Sequence, residues 1–139
     1  MLLLWADAVV PNLLTPAEKK EIVAQIRQKQ NRDGGWGTPV LYAPTSREVA
    51  RESDGYGTGF AILMLRKAGV SSQDEAIESG LKWLKQNQRR SGAWHTLTVN
   101  PGLHEATKPI PARFPTHLGT AFALMALEAC RETSSPAQP

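Results

Sequence analysis

At 139 residues, 41% hydrophobic and 21% charged, the chain is long enough for one domain with an apolar core, and too evenly mixed for a disordered or fibrous protein. The net charge of +3 and the pI near 9.2 are spread along the sequence, and the densest basic runs, Lys19-Lys20 and Arg89-Arg90, are too short for the footprint of a nucleic-acid binder. The single cysteine, Cys130, excludes a disulfide framework within the chain and so reports nothing about compartment.

The chain opens on "MLLLWADAVV", which is apolar but interrupted by Asp7 and lacks a basic leader. It reads as a core helix rather than a signal peptide or a membrane span, and segment 1–14 is expected to be the buried partner of the next helix. "TPAE" at 15–18 is a capping box, with Thr15 as N-cap, Pro16 at the first helical position and Glu18 reaching back. The helix it starts has an apolar stripe of Ile22, Val23 and Ile26 and a polar face of Lys19, Lys20, Gln25 and Arg27. It runs into "QNRDGGW" (30–36), and "TPVLYA" (38–43), hemmed by prolines, reads as loop. In "YGTGFAILMLRKAG" the run Phe60–Leu65 is apolar all round, which predicts a helix buried on every side, stopped at Gly69 with Val70 as the contact just beyond.

"SQDE" at 72–75 reads as a second capping box, on Ser72 and Glu75. The amphipathic helix after it carries Ala76, Ile77, Leu81 and Leu84, with Trp83 beside the stripe, and runs into "QNQRRSGAW" (86–94). Residues 95–115 form a long connection with prolines at 101, 109, 111 and 115 and two of the three histidines, His95 and His104. It either drapes over one rim of the helices or gates a cavity lined by Tyr56, Phe60, Phe122 and Met125. "LGTAFALMALEAC" predicts a second helix of the all-apolar kind, from Ala121 to Leu127, after which the small polar tail 133–139 is expected to fray, leaving 1–132 as the domain.

The order is thus amphipathic, buried, amphipathic, buried, and the halves repeat. "GTGFAILML" (57–65) aligns with "GTAFALMAL" (119–127), a spacing of 62 from Thr58 to Thr120, while Trp36 and Trp94 are 58 apart. Two helices per unit predict an all-α fold of layered αα-hairpins. In the repeated phrase, glycines let the chain reverse, a tryptophan covers the hairpin end, and a glutamine amide reaches exposed backbone of a neighbouring helix. Gln30 and Trp36 in the first unit, and Gln86 and Trp94 in the second, are the residues assigned to this clamp.

The phrase from glutamine to tryptophan, followed by "TAFALMAL", resembles the repeats of squalene–hopene and oxidosqualene cyclases and, more distantly, of protein prenyltransferase β-subunits. The resemblance covers about residues 15–131. It implies part of an α/α-toroid, about two and a half hairpins of it, with the all-apolar helices inside. It also implies an apolar isoprenoid or lipid ligand taken between the inner helices, with Tyr56, Phe60, Phe122 and Met125 as the binding residues.

Cyclisation in that family starts from the middle aspartate of an Asp-x-Asp-Asp-Thr motif at an inner-helix start. Laid on Thr58, the motif falls on "DGYGT": Asp54 matches the first aspartate, Tyr56 stands where the proton donor belongs, and Gly57 replaces the last aspartate. Tyrosine is far too weak an acid for that step. The second window, "THLGT" (116–120), has no carboxylate. Asp54, Tyr56 and His95 are the residual catalytic candidates, with N-capping as the plain role for Asp54. The zinc-ligating histidine of the prenyltransferases would fall on Gly119, with His117 two residues away, so no metal and no cofactor is expected.

Three functions follow. The resemblance favours a repeat domain without cyclase chemistry that binds an isoprenoid or serves assembly, located in the cytoplasm or at a membrane periphery. The alternative is a segment of an isoprenoid-cyclising isomerase or lyase whose acid lies in other repeats. Carbohydrate cleavage ranks last, because no two carboxylates pair across a cleft. No nucleic-acid partner is expected. The open ends of a partial ring predict self-association, or further repeats that complete the toroid.

Overall fold

The computed structural model describes residues 2–10, 12–38, 52–96 and 113–131, with the side chains of 113–116 left aside. They form five helices and no strand: α1 (Leu2–Val9), α2 (Pro16–Gln28), α3 (Gly55–Lys67), α4 (Glu75–Gln86) and α5 (Arg113–Arg131). The expected loop 38–43, His104 and the tail 133–139 lie wholly or almost wholly outside the described residues. The fold is all-α and built as layered αα-hairpins. α1, α3 and α5 make the inner row, while α2 and α4 cover it from outside.

α3 is the hub, and all four other helices pack against it. Every residue from Phe60 to Leu65 is at most 3% exposed, as the unbroken apolar run requires. Burying each of these larger side chains contributes about 1.5–3 kcal/mol before the entropy of ordering is subtracted. α5 lies parallel to α3 at very close range. A Cβ added to Gly59 would come 2.5–2.7 Å from the backbone of Phe122 and Ala123, so only glycine lets the two helices meet there. The far end of the contact is tied by the Arg66 side chain, whose Nε donates to the Ala129 carbonyl (3.3 Å). Past it, Gly69 turns left-handed (φ 85°) and Val70 N donates to Leu65 O, which closes the helix as expected.

α2 starts on the capping box read from the sequence. Thr15 Oγ1 accepts from Glu18 N (3.3 Å), and Thr15 N donates to Glu18 Oε2 (2.8 Å). α4 does not start on Ser72. Its N-cap is Asp74, which accepts from Ala76 N (3.1 Å) and is held by Arg27 at the end of α2 (2.6 Å). The observed cap lies two residues downstream of the expected one, on the aspartate that Arg27 holds.

Two inner helices are less buried than expected. In α1 only Leu4 is buried, while Leu2, Leu3 and Val9 are exposed. α5 begins at Arg113, with Pro115 in its first turn where a missing N–H is harmless. It buries one stripe, Gly119, Ala123, Ala126 and Cys130, and leaves Leu118, Leu124 and Met125 41–53% exposed. Composition alone made both helices look like α3. What differs is that α3 has neighbours on all sides, and these two stand at the edges of the row.

The corner between α1 and α2 is electrostatic. Asp7 pairs with Lys19 (2.6 Å) and accepts from Leu14 N (2.9 Å). The Lys19 bond, then the Leu14 N–H, hold the Asp7 carboxyl below its ordinary value of 3.8, and the Thr15 bonds lower Glu18 below 4.5. A depressed carboxylate contributes stability that is full above its ordinary value and is lost as pH falls through the folded one. Acidification below about pH 4 is therefore expected to loosen this corner first. In an NMR titration the Leu14 amide should shift together with the Asp7 carboxyl. A Leu14 amide that stays still until global unfolding would refute the link.

Candidate functional site

The starts of the inner helices are built by the repeated phrase. In the first unit Trp36 is fully buried and donates from Nε1 to Ile26 O (2.7 Å), in the last turn of α2. In the second, Trp94 donates to Leu84 O (2.8 Å). Each tryptophan N–H then donates to the threonine of the following inner helix: Trp36 N to Thr58 Oγ1 (3.0 Å) and Trp94 N to Thr120 Oγ1 (3.2 Å). The two threonines that align in sequence thus do the same work, pinning an outer hairpin end to an inner helix.

The glutamine clamp also exists, with one change of register. Gln30 Nε2 donates to Gly34 O (2.8 Å) and onward to Ala76 O (2.9 Å) in the first turn of α4, so it stitches one hairpin to the next. Its counterpart is Gln88, which donates to Gly92 O (2.9 Å), whereas Gln86 is the exposed last residue of α4. The assignment of Gln86 is corrected accordingly. Gly34 and Gly92 occupy equivalent left-handed positions (φ 88° and 82°), where a side chain would be strained. Sequence reasoning also missed Asp33. It accepts from Trp83 Nε1 (3.0 Å), Gly35 N (3.0 Å) and Ser53 Oγ (2.7 Å), binding the first turn to the outer helix of the second unit.

Asp54, the first catalytic candidate, is wholly buried and caps α3. Its Oδ1 accepts from Gly57 N (2.8 Å) and from the Thr38 hydroxyl (2.6 Å), and its Oδ2 accepts from Thr38 N (2.8 Å). Both oxygens are engaged by the protein's own donors, which suits a cap and not a group that meets substrate. His95 has an exposed side chain, and its carbonyl accepts from Gly55 N (2.7 Å), so its part here is played by the backbone. His117 is exposed on α5.

Tyr56 follows the cap and belongs to an aromatic group. Its ring stacks on Phe60 (centroids 5.7 Å, planes 4° apart) and meets Phe122 edge-on (4.8 Å, 77°). Phe60 and Phe122 are themselves edge to face (5.5 Å, 75°), and Trp5 of α1 adds a further edge contact to Phe122 (6.3 Å, 83°). The structure therefore unites three of the four residues expected to bind ligand. Met125 stands on the exposed side of α5. Tyr56 and Phe122 are half-buried and Phe60 is 1% exposed, so the first two offer the accessible ring surface. Two open grooves lie elsewhere: one of about 460 Å³ is mainly polar, with Arg27, Asp74 and Glu75 in its lining, and one of about 470 Å³ mixes Lys82, Lys85 and Gln86 with the apolar surface of Leu81 and Cys130. Among the described residues no three His, Cys, Asp or Glu side chains converge as metal ligands, and no helix is long and apolar enough to cross a membrane.

Compared with known proteins, residues 8–108 match the family model described as the squalene–hopene cyclase C-terminal domain. The chain belongs to that family. A squalene–hopene cyclase of Zymomonas mobilis is 36% identical over 77 residues, 54% of this chain and 12% of that protein. One of Bradyrhizobium diazoefficiens is 30% identical over 116 residues, 83% of this chain and 16% of that protein. Protostadienol synthase A of Arthroderma gypseum is 32% identical over 69 residues, 48% of this chain and 9% of the synthase. The squalene–hopene cyclase-like chain thus spans less than a fifth of the length of these relatives. No solved structure matches it. Membership of this family accounts for the toroid-type hairpins and for tryptophans that close both of them.

Proposed function

We propose that the chain is a squalene–hopene cyclase-like repeat unit that presents an aromatic wall to an isoprenoid or lipid chain and does not supply the acid that starts cyclisation. One observation carries this reading. At the inner-helix start where such an acid would stand, Asp54 is consumed as a buried cap, and the next side chain is Tyr56, stacked into the group with Phe60 and Phe122. Flat apolar rings suit the alkene units of an isoprenoid, and most of the energy of such a contact comes from apolar area removed from water.

The test is incubation with squalene in mild detergent, followed by gel filtration, lipid extraction and thermal melting. Retained squalene and a raised Tm are expected, both diminished in Phe122→Ala, with no cyclised product in the extract. Neither retention nor a shift would overturn the binding reading.

A second reading is that these hairpins are part of a cyclising enzyme whose acid lies in other repeats. Its support is the naming of the relatives as cyclases and the electron-rich ring faces, which stabilise passing positive charge. Cyclised product from the squalene incubation would favour it over the first.

A further inference from the structure

Each tryptophan turn carries a threonine two residues on, Thr38 after Trp36 and Thr96 after Trp94. In the first unit both donors of that threonine go to one carboxylate. Thr38 N donates to Asp54 Oδ2 (2.8 Å) and the Thr38 hydroxyl to Asp54 Oδ1 (2.6 Å). The second unit has no such acceptor in its sequence: Asp54 stands four residues before Thr58, and Thr116 stands four before Thr120. The Thr96 hydroxyl is buried without a hydrogen-bond partner, and its amide has none among the described residues. Among those residues it is the one buried side-chain polar atom left in that condition. Burying an unpaired hydroxyl is costly, and native chains hold few such groups.

Its position is specific. The hydroxyl fills the space where a Cβ on Gly119 would stand, and that same point is 3.2 Å from Tyr56 N. Gly119 is buried and lies one turn before Phe122 on α5, while Tyr56 is the second residue of α3. Thr96 thus sits where the two helices that carry the accessible rings come together, at the head of the wall formed by Tyr56 and Phe122. Thr96 as a whole is only partly buried, and nothing bonds its hydroxyl, so a change of χ1 can turn it toward a ligand.

A ligand that lays its chain on the rings and ends in an oxygen would give Thr96 the acceptor that Asp54 gives Thr38. A carboxylate is the poorer fit. Gly55 N donates to His95 O, which brings the buried Asp54 close to Thr96, and a second negative charge there is repelled. A ligand hydroxyl is neutral, accepts from Thr96 and can donate back to it.

We propose that the isoprenoid taken by the aromatic wall is an alcohol whose terminal oxygen is bonded by Thr96. This rests on the reading of the wall as an isoprenoid site and narrows the class of isoprenoid.

The test compares geranylgeraniol with the hydrocarbon that lacks its hydroxyl and with the corresponding carboxylic acid at about pH 8, by retention through gel filtration. The alcohol is expected to be retained about two- to tenfold better than the hydrocarbon, the net worth of one hydrogen bond gained. The acid should be retained no better than the hydrocarbon. Thr96→Val keeps the shape without the hydroxyl, and because that hydroxyl makes no bond in the free protein the variant should fold with Tm unchanged or raised. It should hold the hydrocarbon as before and lose the preference for the alcohol, whereas Thr96→Ser should keep that preference. Equal retention of alcohol and hydrocarbon by the parent chain, a preference that survives in Thr96→Val, or an acid held best of the three would each overturn the alcohol and leave the isoprenoid site standing. Retention of none of the three, nor of squalene, would overturn the site itself and the alcohol with it.

Discussion

Replacing Trp36 with alanine is expected to cost about 3–5 kcal/mol of unfolding free energy, the range for emptying a fully buried aromatic site. Trp36 has no exposed surface, closes the end of α2 through Ile26 O, and anchors the start of α3 through Thr58. Trp36→Phe separates the parts of that loss. It keeps most of the ring but leaves Ile26 O without its indole partner, which should cost about 1–3 kcal/mol. Thr58→Val removes the other anchor, and because both side chains belong to one bonded unit its effect should combine non-additively with Trp36→Phe. Chemical denaturation of the single and double variants measures this. Strict additivity would show that the tryptophan acts as filler and not as a joint.

Asp54→Ala should cost about 3 kcal/mol, more than an ordinary cap, because two backbone N–H groups and a hydroxyl lose their acceptor in a buried place. Asp54→Asn should fall between, since an amide has one acceptor oxygen and must turn its NH₂ toward one of the former donors. Squalene retention per folded molecule should be the same in Asp54→Asn as in the parent chain. A variant that folds with undiminished stability but loses retention would instead place Asp54 among the groups that meet ligand.

Much of this architecture was legible in the residues because its signals are local. The capping box at Thr15, the apolar run of α3 and its stop at Gly69 each depend on near neighbours, and each is found as read. The repeat was legible because two tryptophans and two threonines recur with matching surroundings. What local pattern cannot supply is which neighbours are present. α5 resembles α3 in composition, yet among the described residues it buries four positions where α3 buries ten, because all four other helices pack against α3. The cap of α4 was misplaced for a similar reason: Arg27, 47 residues upstream, selects Asp74 over Ser72.

The glutamine register could have been found by counting. Gln30 precedes Trp36 by six residues and Gln88 precedes Trp94 by six, whereas Gln86 is eight away. Of the candidate site, the grouping of Tyr56, Phe60 and Phe122 was recoverable from aligning the two inner helices. The role of Asp33 was not, because its partner Trp83 is 50 residues further on, in a different hairpin.

The two stitches made by each tryptophan differ in one respect. From the indole to the outer-helix carbonyl, the span is 10 residues in both units. From the tryptophan amide to the inner-helix threonine it is 22 residues in one and 26 in the other, yet the bond is the same. Each unit is thus a buckle of set size on a strap of adjustable length. A difference of four residues in the strap therefore leaves the buckle as it is.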